Sequence, residues 1–296
     1  MDPIKLRGGY TAIITPFKND ESIDESSLEN LIDFNIEQGI SGIVPCGTTG
    51  ESPTLSPEEH QRVIDLTIQA VNGRVPVLAG TGSNCTKEAI KYSQHAEKAG
   101  ASAVLLVNPY YNKPTQEGLY RHFKAIAENV GIPCIVYNIQ GRSAVNVETP
   151  TLMRLANDCR NITAVKEASG NLEQMKDVIA QRPEGFYVLS GDDNMALPLI
   201  KEGGDGVISV ASNLIPGSMS EMVQCALNGY VKEAETVNEG IKKLFKMEFI
   251  ETNPIPIKYM LSLQGMCEEV YRLPMCELSK EHKQEVKTFM EDSGLL

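Results

Sequence analysis

Eight short, apolar, β-branched runs alternate with helical patterns between residues 8 and 229, and no other regularity constrains the chain as tightly. The runs begin with YTAIITPF at 10, GIVPCG at 42, VPVLAGTG at 75 and AVLLVNPY at 103. They continue with CIVYN at 134, ITAVKEAS at 162, YVLSGDD at 187 and GVISVASN at 206. Such alternation is the signature of repeated βα units, each strand joined to a parallel neighbour by a crossover helix. Strands that read as near-continuous apolar runs are covered on both faces, and eight of them close naturally into a barrel. An open doubly wound sheet is the alternative. It fits less well, because the spacing is regular and no G-x-G-x-x-G turn follows the first strand. The expected fold is therefore α/β, a (β/α)8 TIM barrel.

Helix ends support the same reading. Ser56 before Pro57 and Glu59 supplies an N-cap, a first-turn proline and a capping-box glutamate, and Thr149 before Pro150 and Ser26 before Glu29 repeat that logic. Gly39, Gly73, Gly100, Gly131 and Gly229 each follow a helical pattern, where a residue without Cβ closes the last turn. After Gly229 the strand signals stop, and residues 230–296 show helical periodicity interrupted by TNPIP at 252–256 and by Pro274. The predicted organisation is a barrel over residues 1–229 and a helical C-terminal extension over 230–296. The 296 residues suit a barrel of roughly 250 with such an appendix.

Composition removes several classes of function. A formal charge of −12 disfavours a polyanionic partner, and no local basic patch offsets it, so no nucleic acid is expected. No apolar run approaches the roughly 20 residues that cross a bilayer, and the start MDPIKLRGGY lacks a secretory signal, so no membrane association and a cytoplasmic location are expected. Seven cysteines without a C-x-x-C pair suit a reducing compartment and argue against a thiolate zinc site. His60, His95, His122 and His282 lack H-x-x-x-H spacing, so no metal is expected.

The reacting groups of such barrels sit at the C-terminal ends of the strands. There the sequence offers Thr15, GTTGE at 47–51, Tyr110, Tyr111, Tyr137, Asn138, Lys166, Gly191, Asp192 and Ser209. Lys166 is the most informative. Strand alternation in ITAVKEASG places it on one face with Ile162 and Ala164, an amine among apolar neighbours. Lysine is almost never buried without a partner, because desolvation penalises the charged form and favours the neutral amine. A neutral amine can add to a ketone, and the resulting Schiff base acidifies the adjacent carbon. The bland reading is a lysine snorkelling from the strand end and paired with Glu167.

The other motifs carry two readings each. GTTGE is a cradle for a carboxylate or an ordinary strand-to-helix loop. Tyr111 and Tyr137 are proton relays or aromatic core packing. Arg142, five residues after Tyr137, is a bidentate carboxylate partner or a solvated surface residue.

Taken in order, GTTGES, NPYYNKPTQEGLYRHF, YN-x-x-x-R, VKEASG, SGDD, GGDGVISV and FIETNPIPIK resemble the dihydrodipicolinate synthase family, within the N-acetylneuraminate lyase superfamily. The resemblance spans nearly the whole chain. It implies a cofactor-free Schiff-base lyase in which Lys166 forms an imine with pyruvate. The enamine then attacks L-aspartate 4-semialdehyde, giving 4-hydroxy-tetrahydrodipicolinate in the diaminopimelate route to lysine.

The same resemblance implies roles for other residues. Tyr137 shuttles protons, with Thr48 and Tyr111 as relay partners and Tyr111 reaching across a subunit interface. Thr49 grips the pyruvate carboxylate, Arg142 receives that of the aldehyde, and Gly191 and Ile208 line the pocket. A homotetramer built as a dimer of dimers is implied too. Ser52, His60, Asn84, Glu88 and Tyr110 are similar to positions that bind feedback L-lysine, although Pro57 replaces a second histidine often found there. Gln140 stands where the family commonly has proline, which frees a backbone N–H in the Arg142 loop.

Two rivals share parts of this pattern. An N-acetylneuraminate or 2-keto-3-deoxy sugar acid aldolase would use Lys166 and Tyr137 but has no need of Arg142. A catalytically silent ligand-binding member has no need of the intact set Lys166, Thr48, Tyr111 and Tyr137.

Overall fold

The structure, a computed structural model, describes residues 4–296. Its eight parallel strands are β1 (Gly8–Ala12), β2 (Gly42–Val44), β3 (Leu78–Gly80), β4 (Ala103–Val107), β5 (Cys134–Asn138), β6 (Ile162–Glu167), β7 (Tyr187–Ser190) and β8 (Gly206–Ser209). They are hydrogen-bonded in the order β2-β1-β8-β7-β6-β5-β4-β3. A parallel bridge between Ile43 and Val77 joins the two ends of that order. The chain is thus a (β/α)8 TIM barrel, with every expected strand present and β1 starting at Gly8 rather than Tyr10.

The helices are α1 (Glu25–Glu37), α2 (Pro57–Val71), α3 (Thr86–Ala99), α4 (Gln116–Ala127), α5 (Gln140–Ser143), α6 (Thr149–Asp158), α7 (Leu172–Gln181), α8 (Asp193–Lys201) and α9 (Pro216–Leu227). After them come α10 (Val231–Ile241), α11 (Leu244–Met247), α12 (Ile255–Leu263) and α13 (Lys280–Asp292). Among the described residues, no helix is long and apolar enough to cross a membrane.

Apolar residues divide into two layers, as a closed sheet requires. Tyr10, Val44, Leu105, Ile135, Leu189 and Ile208 fill the barrel interior. A larger set, including Ile43, Val104, Val136, Val165 and Val207, packs the outer strand faces against the helices. Lys166 lies between the inward residues Ala164 and Ala168, but Ile162 belongs to the outer layer. The expected shared face with Ile162 fails because the register shifts between Cys134 and Ile135, opposite Ile162 and Ala164. An irregularity of this kind resets the two-residue alternation.

Of the three expected N-caps, Ser56 alone stands as read, while four of the five glycine ends do. Ser56 and Glu59 form the reciprocal capping box. At α1 the cap is Asp24 rather than Ser26: its carboxylate accepts from the Ser27 N–H and from both serine hydroxyls, satisfying more donors than a hydroxyl could. Thr149 is the first residue of α6 and Glu148 the cap. Gly39, Gly73, Gly100 and Gly229 take positive φ, whereas Gly131 does not. Gly131 instead donates its N–H to Glu97.

Candidate active site

β5 and β6 are adjacent, and their register sets Tyr137 directly beside Lys166. Lys166 is 5% exposed. Its Nζ lies 4.2 Å from the centre of the Tyr137 ring. Among the described residues no carboxylate forms an ion pair with it, and Glu167 points to the opposite face, towards Asn138, Ser169 and Gln174. The snorkelling pair with Glu167 is therefore absent. Gly191, at the end of β7, closes the other side. A Cβ there would stand 3.1 Å from Lys166 Cε and 2.5 Å from Ala168 Cβ, so only glycine lets the two strands approach. The next residue, Asp192, is half-buried; desolvation raises its carboxyl while Lys166 and Arg142 pull it down, which places it near both cations.

The GTTGE loop follows β2. Its left-handed residues are Cys46 and Glu51, not the glycines. Gly50 serves close approach instead, since a Cβ there would meet Ile13 O at 3.1 Å. Thr15 donates to Gly50 O at 2.7 Å and holds the turn against β1. Thr48 is half-buried and Thr49 is buried. Thr49 Oγ1 accepts from Asn253 Nδ2 at 3.0 Å, and Asn253 O accepts from Arg142 Nη2 at 3.2 Å. Glu51 is wholly buried and pairs with Lys258 of α12 at 2.6 Å. Burial holds Lys258 below the ordinary lysine value, against the pull of Glu51. Arg142 sits on the four-residue helix α5; it faces solvent but is tethered through Asn253.

A cavity of about 440 Å³ links two groups of expected residues. Thr48, Tyr137, Ile139 and Arg142 form one part of its wall, and Ser52, His60, Glu88 and Tyr110 another. Lys166 is not in this wall; its Nζ rests against the Tyr137 ring that is. His60 stacks on Tyr92 with ring centres 4.3 Å apart, and burial pushes its pKa down to about 4. Asn84 joins the second group from outside the wall, donating to Tyr110 O at 3.2 Å. Ile208 lies in the barrel interior with Tyr137.

Tyr111 is not brought to Lys166 or to the cavity wall. It is 91% exposed and holds φ at +72°, a conformation uncommon for residues other than glycine. Sequence reasoning also passed over Asn253, Lys258 and Tyr92. The first two fall in the FIETNPIPIK motif, but their contacts lie more than 200 positions away, at Thr49 and Glu51.

The fold and the site together define a class: a (β/α)8 barrel with an unpaired lysine on an inward strand face, beside a tyrosine and a hydroxyl-rich turn. The model of the dihydrodipicolinate synthetase family matches residues 5–293, and the chain belongs to that family. It is 53% identical over 291 residues to the 4-hydroxy-tetrahydrodipicolinate synthase of Syntrophus aciditrophicus, covering 98% of this chain and 99% of that one. A dihydrodipicolinate synthase of Acinetobacter baumannii, solved in complex with pyruvate, superposes with a TM-score of 0.96 at 43% identity, covering 99% of this chain and 100% of that one. The enzyme of Cyanidioschyzon merolae with lysine bound gives 0.95 at 39% identity, covering 98% and 99%.

Proposed function

We propose that this chain condenses pyruvate with L-aspartate 4-semialdehyde through a Schiff base on Lys166, yielding 4-hydroxy-tetrahydrodipicolinate for lysine synthesis in the cytoplasm. The observation that carries the reading is the contrast between two buried lysines. Lys258 is neutralised by Glu51, whereas Lys166, 5% exposed, has no carboxylate partner among the described residues. A buried amine that no carboxylate pairs directly, with Asp192 near but outside ion-pair distance, is poorly explained by stability and well explained by chemistry.

Lys166 Nζ adds to the ketone carbon of pyruvate, whose carboxylate is held by Thr49 and the GTTGE turn. The Tyr137 phenol, relayed through Thr48 and the partner's copy of the exposed tyrosine at 111, delivers the proton that lets hydroxide leave as water. The imine nitrogen draws electrons from the methyl carbon, which loses a proton to become an enamine. That carbon bonds to the aldehyde carbon while the aldehyde oxygen is protonated. The substrate's own amine then displaces Lys166 from the imine carbon, closing the ring and freeing the enzyme. Arg142 receives the aldehyde's carboxylate, with Gly191 and Ile208 shaping the pocket.

The working unit includes the barrel, residues 1–229, and the extension, 230–296, which supplies Asn253 and Lys258. Ser52, His60, Asn84, Glu88 and Tyr110 form a site for L-lysine, with Glu88 as the counter-charge for an ammonium. The assembly is a homotetramer of two tight dimers, and Tyr111 lies at the tight interface. Steady-state turnover with pyruvate and a panel of aldehydes tests the reading. Aspartate semialdehyde should be preferred, and preference for a sugar aldehyde would move the protein to the sugar acid aldolases.

A further inference from the structure

The ends of three neighbouring strands carry a polar cluster that the proposed chemistry does not use. Asn108 follows β4, Asn138 ends β5 and Glu167 ends β6, and all three are wholly buried. Asn138 Nδ2 donates to both Glu167 oxygens at 3.2 Å, the Ser169 N–H donates to Oε1 at 2.9 Å, and Gln174 Nε2 of α7 reaches Oε2 at 3.5 Å. Every partner of Glu167 is thus a donor, a pattern that suits an acceptor-only carboxylate and not an amide. Burial pushes this carboxyl above the usual carboxylate range, a destabilisation that packing alone does not explain.

The cluster grips one segment. Asn138 Oδ1 accepts from the Val147 N–H at 2.9 Å, Asn108 Nδ2 donates to Val145 O at 2.8 Å, and Asn138 Nδ2 also reaches Asn146 Oδ1 at 2.8 Å. Gln174 adds bonds to Asn146 Oδ1 and Val147 O at 3.2 and 3.1 Å. Residues 145–147 are the returning foot of the loop that leaves β5 at Ile139 and carries Arg142 on α5. Both feet of that loop are therefore fixed to one buried hub.

We propose that Glu167 is a positioning residue that acts through Asn138 and Gln174 to hold the Arg142 loop over the barrel mouth. Recognition of the aldehyde's carboxylate depends on it, whereas imine formation at Lys166 does not. This rests on the assignment of Arg142 as the aldehyde's partner. It explains why a charged residue directly follows the nucleophile in sequence yet faces away from it.

The test uses the full-length enzyme and Glu167→Gln, which keeps size and turns one acceptor into a donor. Amide hydrogen exchange at residues 139–147 should rise at least several-fold while β6 amides stay protected. The KM for aspartate semialdehyde should rise about tenfold, in line with a lost charge-assisted bond. The KM for pyruvate and the yield of borohydride-trapped imine should hold. In an Arg142→Ala background the same change should add little, because the loop no longer carries the group it positions.

Unchanged exchange at 139–147 overturns the proposal whatever the kinetics show, as does a loss that falls equally on pyruvate or adds in full to Arg142→Ala. If Glu167→Gln does not fold, Gln174→Ala carries the same predictions with smaller size. A wild-type enzyme that traps pyruvate but ignores aspartate semialdehyde would defeat the function reading, and the exchange measurement would still decide the role of Glu167.

Discussion

Lys166 and Lys258 show how one residue type can be buried for opposite reasons. Lys258 sits 2.6 Å from Glu51 and 4.3 Å from the Phe17 ring centre, so its charge is met on two sides. Removing one partner of a buried pair leaves the other charge stranded. Lys258→Met should therefore destabilise the protein by about 3–5 kcal/mol, read from urea or thermal unfolding, and should lower activity by loosening the GTTGE turn. A variant with wild-type stability would contradict the role given to this pair. Lys166→Ala should behave in the reverse way, with condensation abolished and the unfolding midpoint nearly retained.

The histidines add a pH dependence. Burial pushes both His60 and His122 down to about 4 from 6.5. Between those values the unfolded chain binds protons that the folded chain refuses, so stability is full above about 6.5 and falls as pH drops towards 4. The loss approaches roughly 3 kcal/mol per histidine. Denaturant midpoints from pH 7 to 4.5 should fall accordingly, and less steeply in His122→Gln; an unaltered slope in that variant would count against the assignment.

Among the elements, the strands and the Ser56 cap were the most legible, because apolar runs and Ser56-Pro57 chemistry are local. Ser56→Ala should cost about 1 kcal/mol by removing the hydroxyl that caps α2, measurable as a shift in unfolding midpoint. No change there would mean that the box is redundant with Pro57. The inward set on β6 was read one residue too far, since a register shift against β5 is a property of two strands together. The same limit hid the Asn108, Asn138 and Glu167 hub. Each residue reads singly as an ordinary strand end, and only lateral strand order makes them one cluster. Thr48, Thr49, Tyr137 and Lys166 could be singled out as candidates because they fall at or just beyond strand ends, where a barrel gathers its polar groups.

At the scale of the whole molecule, the segment after residue 230 packs directly against the candidate site, from the turn before α12 and from α12 itself. Asn253 holds Thr49 and Arg142, and Lys258 holds Glu51, through contacts invisible to any local reading. Tyr111 points in the other direction, outward and 91% exposed, and the proposed relay assigns it to the site of a second copy. Mixing subunits carrying Lys166→Ala with subunits carrying Tyr111→Phe should restore activity. In a mixed dimer, one site then keeps its own lysine and borrows an intact tyrosine. Mixtures no more active than the parents would place Tyr111 outside the relay.

The covalent bond between Lys166 and pyruvate can be tested without knowing the aldehyde. The protein is incubated with pyruvate, reduced with borohydride, digested and analysed by mass spectrometry. A three-carbon adduct should appear on the peptide containing Lys166 and vanish in Lys166→Ala. No adduct, or one carried by another lysine such as Lys258, would contradict the account.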